Sequence, residues 1–304
     1  MIPYRTFQRL YKLNLNNDSM ILRSIKKSKG KYKKFLNIAI IALTEQGSKT
    51  AQRIGSGFAS TPSIYVLNKA AENISIKKSN TSPGITLFSE PLQHLVNQVF
   101  KQYDGLVFVM AMGIVVRMIA PLIRDKHSDP AVVVVDDVGR FVISMLSGHE
   151  GGGNQLAHQI ASILHTDAVI TTGTDAQKDI IIGIGCKKGI SGEIVKESII
   201  DALQRVNRKI DHVRLLSTID IKSEEAGLLQ VSEELGIPLR IVSKSEIATC
   251  AKEYSKSNFV KEKIGVWAVC EPAALIAGRK TRLILTKQKY PGMTIAIAQE
   301  NFMW

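Results

Sequence analysis

A chain of 304 residues, 45% of them apolar, can bury two cores, and no apolar run in it reaches the roughly 20 residues of a membrane-spanning helix. The formal charge of +13 invites a nucleic-acid reading, but residues 1–36 hold ten Lys or Arg against one acid, whereas the remaining 268 hold 30 bases and 26 acids; no specific nucleic-acid partner is expected for the body. Cys186, Cys250 and Cys270 form no CxxC pair and leave an odd thiol, which suits a reducing cytoplasm, with neither secretory leader nor membrane partner expected.

Residues 1–36, lysine-rich at 26–34, form a basic extension expected to be disordered. From Asn37 the pattern becomes regular. A strand is predicted at 37–43, then an amphipathic segment carrying Ala51 and Ile54, then a strand at 63–67. The polar stretch 72–90, with Ser-Pro-Gly at 82–84, reads as loop. Leu92, Leu95, Val96 and Val99 recur at helical spacing, and 105–110 is a strand. Gly113 and Arg117 open a loop. The apolar runs 131–135 and 141–146, joined by Asp136-Asp137-Val138-Gly139, predict a hairpin. Ser-Gly-His-Glu-Gly-Gly-Gly-Asn, residues 147–154, leads into a helix to 165, and a strand follows at 168–171. This first domain is expected to span 37–178.

The second, 179–304, opens on a strand at 180–184, a glycine-rich turn through Gly183, Gly185 and Gly189, and a helix capped by Ser191. Further strands are predicted at 213–217, 239–242, 264–269, 281–285 and 294–298, with helices at 223–235, 245–255 and 272–278. The fold class is α/β: two α/β domains with mostly parallel, helix-covered sheets and a substrate cleft between them.

Loops at strand ends of such domains converge on one rim, so Gly113, Arg117, Asp136, Asp137 and the segment from Ser147 to Asn154 are expected to face a common ligand. Three successive glycines before a helix start suit either an anion site or a tight packing turn, and His149 within them favours function as a proton-transfer group. Arg117, in an apolar stretch, is expected to meet an anion, from the protein or from a ligand. Asp136 is a candidate to orient a water or a base, whereas Asp137 reads as turn chemistry. Lys187 and Lys188 favour an anionic ligand. Cys186 reads as a structural thiol rather than a nucleophile. His158 and His165 fall on a polar helix face, and His94, His127 and His212 have no partner at metal-ligand spacing, so no protein-held metal is expected.

Together these stretches resemble the CbiG family, the cobalt-precorrin-5A hydrolases of anaerobic cobalamin synthesis. The resemblance rests on Gly113-Ile-Val-Val-Arg117 with Ala120-Pro121, Asp125-Lys126, Asp129-Pro-Ala-Val-Val-Val-Val-Asp136, Leu146-Ser-Gly-His149-Glu-Gly-Gly-Gly-Asn154 and Val169-Ile-Thr-Thr172. In the second half it rests on Gly183-Ile-Gly-Cys-Lys187, Ser217-Thr-Ile-Asp220, Lys222, Glu225, Gly227-Leu228 and Glu271-Pro-Ala-Ala-Leu275. It implies a cobalt-bearing, carboxylate-rich tetrapyrrole as substrate, with other corrin-pathway enzymes as partners. The implied reaction opens a δ-lactone and releases acetaldehyde, giving cobalt-precorrin-5B. The cobalt arrives with the substrate, so no cofactor is expected. In that setting Gly113, Arg117, Ser147, Gly148, Gly151, Gly152, Asn154, Lys187 and Glu271 are the candidate substrate-binding residues. His149 is the candidate for moving the proton of the attacking water, with Asp136 orienting it or the water. Two departures stand out: only residues 173–179 separate the two halves where the family carries a longer middle segment, and Gly153 replaces an alanine. The short middle leaves open a second reading, a non-catalytic tetrapyrrole carrier.

Overall fold

A computed structural model describes residues 37–58, 60–71 and 84–301; the expected disordered extension at 1–36 lies outside them. The chain divides into two compact units between Gly173 and Thr174, a few residues before the expected boundary at 178.

The first unit is a seven-stranded sheet in the order β3-β2-β1-β4-β5-β6-β7. Its strands are β1 (Ile38–Ala42), β2 (Ser63–Leu67), β3 (Ile85–Phe88), β4 (Gly105–Val109), β5 (Ala131–Val135), β6 (Val142–Leu146) and β7 (Ala168–Val169). All neighbours are parallel except β5 and β6, the predicted hairpin. β1, β4 and β5 are buried at every position because helices cover both faces, which is why they read as unbroken apolar runs. On one face α1 (Glu45–Ser56) and α5 (Gly153–Leu164) close a core around Ile40, Val107, Val133 and Ile160. On the other, α3 (Leu92–Gln102) and α4 (Met112–Ile119) close a core around Ile41, Phe108, Val96 and Ile119. Two expectations fail here. The stretch 72–90 is not all loop, since β3 pairs in parallel with β2 at the sheet edge. Gly113 and Arg117 do not sit in a loop but in α4, whose apolar inner face escapes notice because its outer face is apolar too.

The second unit is a five-stranded sheet in the order β10-β9-β8-β12-β11. β8 (Ile180–Cys186), β9 (Val213–Ile219) and β10 (Leu239–Val242) are mutually parallel; β12 (Met293–Glu300) runs antiparallel to both β8 and β11 (Thr281–Tyr290). Ser191 caps α7 (Gly192–Arg205) as expected, accepting from the Ile194 N–H. α8 (Ala226–Leu235) packs beside α7, while α11 (Cys270–Ile276) packs on β8 and β9. The expected strand at 264–269 is absent: α10 (Asn258–Ile264) ends at Gly265, and Val266 and Val269 fill a small core against Ile219 and Val242 without sheet pairing.

Gly183 and Gly185 are not in a turn but within β8, and the reason is close approach. A methyl group at Gly183 would overlap the Cys270 carbonyl and the Ala274 amide, so the missing side chain is what lets α11 lie on the sheet. Gly183→Ala is expected to destabilise this unit by about 1–3 kcal/mol or more, read as a fall in denaturant midpoint with unchanged slope; an unaltered midpoint would show that α11 shifts freely.

Candidate active site

The parallel strands β1, β4 and β5 end on one rim of the first sheet, and there lie the start of α4 with Gly113 and the turn carrying Asp136 and Asp137. β6 runs back, with Val135 opposite Val142 and Val132 opposite Leu146. Ser147 and the glycine-rich loop therefore emerge at the opposite rim, about 15 Å away along the hairpin at roughly 3.3 Å per residue. The expectation of one shared rim is wrong, because the antiparallel pairing of β5 with β6 reverses the chain. Asp136 cannot orient His149. Its Oδ1 accepts from the Phe141 N–H at 2.7 Å and its Oδ2 from Arg140 Nε at 3.0 Å. Partial burial would raise its pKa, but these hydrogen bonds and the guanidinium charge hold it below the usual value. Its work is to close the turn.

The opposite rim gathers groups from three segments. Leading out of β6, Ser147 adopts φ 53°, a left-handed conformation, with its buried hydroxyl donating to the Asp129 carbonyl at 3.1 Å. The loop then folds on itself. The Gly153 and Asn154 N–H groups donate to the carbonyls of Ser147 and Gly148 at 3.0 and 2.9 Å. Gly151 lies against Ser147 so closely that a methyl group would overlap it, and Gly152 takes φ 86° before α5 begins. Asn154 braces the whole: its Oδ1 accepts from Ser144 Oγ at 2.8 Å and its Nδ2 donates to Thr172 Oγ1 at 2.9 Å. A side chain at Gly148 or Gly151 would thus overlap the loop, Gly152 takes a left-handed conformation, and the amides of Gly153 and Asn154 are engaged by the loop's own carbonyls.

At the loop tip His149 and Glu150 stand exposed. Glu150 accepts from Lys126 Nζ at 3.2 Å and lies 3.1 Å from His127 Nδ1. The Lys126 hydrogen bond, aided by the charges of His127, Lys126 and His149, holds its carboxyl below the ordinary range. Two imidazoles, an ammonium and a carboxylate thus share one exposed rim: a group able to carry a proton beside cations that attract carboxylates. Lys126, His127 and Glu150 were missed as site residues. The Asp125-Lys126 pair was a signal, but a residue 24 positions from its partner gives no spacing to read.

Other candidates are placed differently. Arg117 is exposed on α4, not buried, and has no ion-pair partner among the described residues; Gly113 is exposed, with open space beside it. Asp137 accepts through its carbonyl from Thr50 Oγ1 at 2.6 Å, which is turn chemistry. His158 is buried rather than solvated, because α5 is covered on more of its circumference than its polar stripe suggested. In the second unit Lys187 is exposed, but the turn beyond it is already occupied by an anion of the protein. Glu225 Oε1 accepts from the Gly189 and Ile190 N–H groups at 2.7 and 3.2 Å, and its Oε2 lies 3.3 Å from Lys222 Nζ. Burial pushes the Cys186 thiol up to about 11, against the opposing charge of Lys222, so it is no nucleophile at neutral pH. Glu271 is fully buried, its carboxylate bonded to Ser255 and to the Lys287 amide. Among the described residues no cluster of three His, Cys, Asp or Glu is placed to hold a metal, and no helix is long and apolar enough to cross a membrane.

Two family models match: cobalamin synthesis G N-terminal over residues 94–175, and cobalamin synthesis G C-terminus over 180–298. A cobalt-precorrin-5A hydrolase from Priestia megaterium is 26% identical over 358 residues, covering 86% of this chain and 94% of that protein. A cobalt-precorrin-5A hydrolase from Salmonella typhimurium is 39% identical over 142 residues, covering 47% of this chain and 37% of that protein. A solved cobalamin biosynthesis protein G homolog from Sulfolobus solfataricus aligns over 87% of this chain and 97% of its own, with 21% identity and a TM-score of 0.34.

Proposed function

The chain belongs to the CbiG family, and on that premise we propose that it is a cobalt-precorrin-5A hydrolase of cobalamin synthesis. What carries the reading is that relatedness spans both halves: a hydrolase of that name aligns with 86% of this chain over 94% of its own length. That alignment, at 358 positions, is longer than the chain itself at 304, so the relative carries sequence this chain lacks.

The substrate is a cobalt-bearing tetrapyrrole, and the cobalt belongs to it rather than to the protein. Water adds to the δ-lactone carbonyl and the ester C–O bond breaks, leaving a carboxylate and an alkoxide. The alkoxide oxygen then becomes the carbonyl of acetaldehyde as its carbon–carbon bond to the ring breaks, the bonding electron pair staying on the conjugated macrocycle. The water must lose a proton as it attacks. His149, exposed at the tip of a loop fixed by Ser147, Gly151 and Asn154, is the group we assign to that transfer. His127 and Lys126, held beside it through Glu150, supply positive charge for the substrate's carboxylates. Such a reaction is at home in the cytoplasm.

Incubating the purified chain with cobalt-precorrin-5A without oxygen is expected to release one acetaldehyde per substrate and to leave a corrinoid lighter by acetaldehyde less the one water added. Tight binding with no acetaldehyde would overturn hydrolysis and leave a carrier; no binding and no release would overturn both.

A further inference from the structure

The sheet of the first unit is clothed unevenly. α5 lies along β6 and β7 on the face that carries Val142 and Ala168. On the opposite face α3 and α4 pack over the neighbouring strands. Ile143 and Val169 turn toward that side, a bulge in the pairing with β5 puts both Met145 and Leu146 there against the same core, and Phe141 stands at the entry to β6. Phe141 is 48% exposed, and the others are only partly buried. α4 forms one wall of this strip. Its Ile114 and Met118 join the core shared with α3, and the Met118 carbonyl accepts from Gln93 of α3. The flank turned away from α3, toward β6, therefore carries Met112, Val116 and, just past the helix, Ile123, exposed by 46%, 43% and 44%. Arg117 stands on the outer side of the same helix, with no ion-pair partner among the described residues.

We propose, resting on the hydrolase reading, that this strip is where the face of the tetrapyrrole lies. The apolar surface from Phe141 to Leu146 runs about 17 Å at roughly 3.3 Å per residue, the scale of a flat macrocycle. Exposed apolar surface of this continuity marks a binding face in a soluble protein. The charges around it match a polycarboxylate: Arg117 and Arg124 border α4, Arg140 sits beside Phe141 with its guanidinium 5.8 Å from the ring, and Lys126 and His127 stand at the far end. β6 runs directly into Ser147, so a macrocycle on the strip extends to His149. The strip binds the ring, and the loop acts on it.

The test is a set of exposed substitutions, Val116→Asp, Met112→Gln and Phe141→Ser, with Leu229→Asp on the second unit as the control; Leu229 is likewise exposed, at 47%. For the three strip variants the expected result is a rise in KM of tenfold or more, kcat within twofold, and a melting temperature close to wild type. Leu229→Asp should leave KM unchanged. Unchanged KM in all three folded strip variants overturns the proposal while leaving the hydrolase reading intact. So does a change in oligomeric state at unchanged KM, which would make the strip an interface between copies. If wild type binds cobalt-precorrin-5A without turnover and Val116→Asp abolishes that binding, the strip stands and the hydrolase reading falls.

Discussion

His149→Ala is expected to slow acetaldehyde release from cobalt-precorrin-5A by about 10²–10⁴-fold, the usual contribution of a positioned proton carrier. Binding and melting temperature should stay at wild-type values, because the imidazole is exposed and the loop is held by other groups: the Ser147 hydroxyl on the Asp129 carbonyl, Asn154 between Ser144 and Thr172, and the amides of Gly153 and Asn154 on the carbonyls behind them. Single-turnover measurements should show partial recovery of the variant on adding imidazole. Asp136→Asn is the counterpart. Since Asp136 closes a turn at the other end of the hairpin, its loss should lower stability slightly and leave kcat in place. Full turnover by His149→Ala would remove His149 from the chemistry and make His127, fixed 3.1 Å from Glu150, the next residue to replace.

The difference between His149 and Asp136 shows what was legible in the sequence and what was not. Strand after strand could be read because parallel strands buried on both faces are short apolar runs: 38–42, 105–109 and 131–135 leave little choice. The hairpin could be read from its turn. What the hairpin does to the site could not, since the conclusion that two loops share a rim depends on the direction of every strand between them, and one antiparallel pairing inverts it. In the sequence α4 reads as loop because its exposed flank is as apolar as its buried one, the same property that makes it a wall of the proposed binding strip. The glycines of the 147–154 loop stand out in the sequence, but composition cannot separate a backbone that approaches a ligand from one that approaches itself. Gly183 is the same case within a strand, where a helix rather than a turn demands the missing side chain. In the second unit the turn after β8 does hold an anion of the protein, Glu225, 36 residues on from Gly189, but it is bound by backbone amides and Lys222 rather than by Lys187 or Lys188.

Glu271→Gln separates the two meanings a glutamate in a family motif can have. The side chain is fully buried at the start of α11, where Oε2 accepts from the Ser255 N–H at 2.5 Å and Oε1 from the Lys287 N–H at 2.8 Å and the Ser255 hydroxyl at 3.2 Å. Lys287 falls in the irregular stretch between Leu285 and Gln288 where β11 slips against β12, so its amide is released from the ladder and needs this acceptor. Glutamine offers one oxygen where two are used, and turns an NH₂ toward the other backbone donor. A buried amide left unsatisfied costs about 1–3 kcal/mol, and a domain of this size loses about 2–4 °C in melting temperature per kcal/mol. The expected result is a melting point lower by several degrees, with KM and kcat for cobalt-precorrin-5A unchanged below the transition. Glu271→Ala, which strands both amides, should fall further. A raised KM at an unchanged melting point would instead return Glu271 to the substrate. Charge argues against that outcome, because a carboxylate is a poor partner for a ring that carries many of its own, and this one is already fully engaged by the protein's own donors.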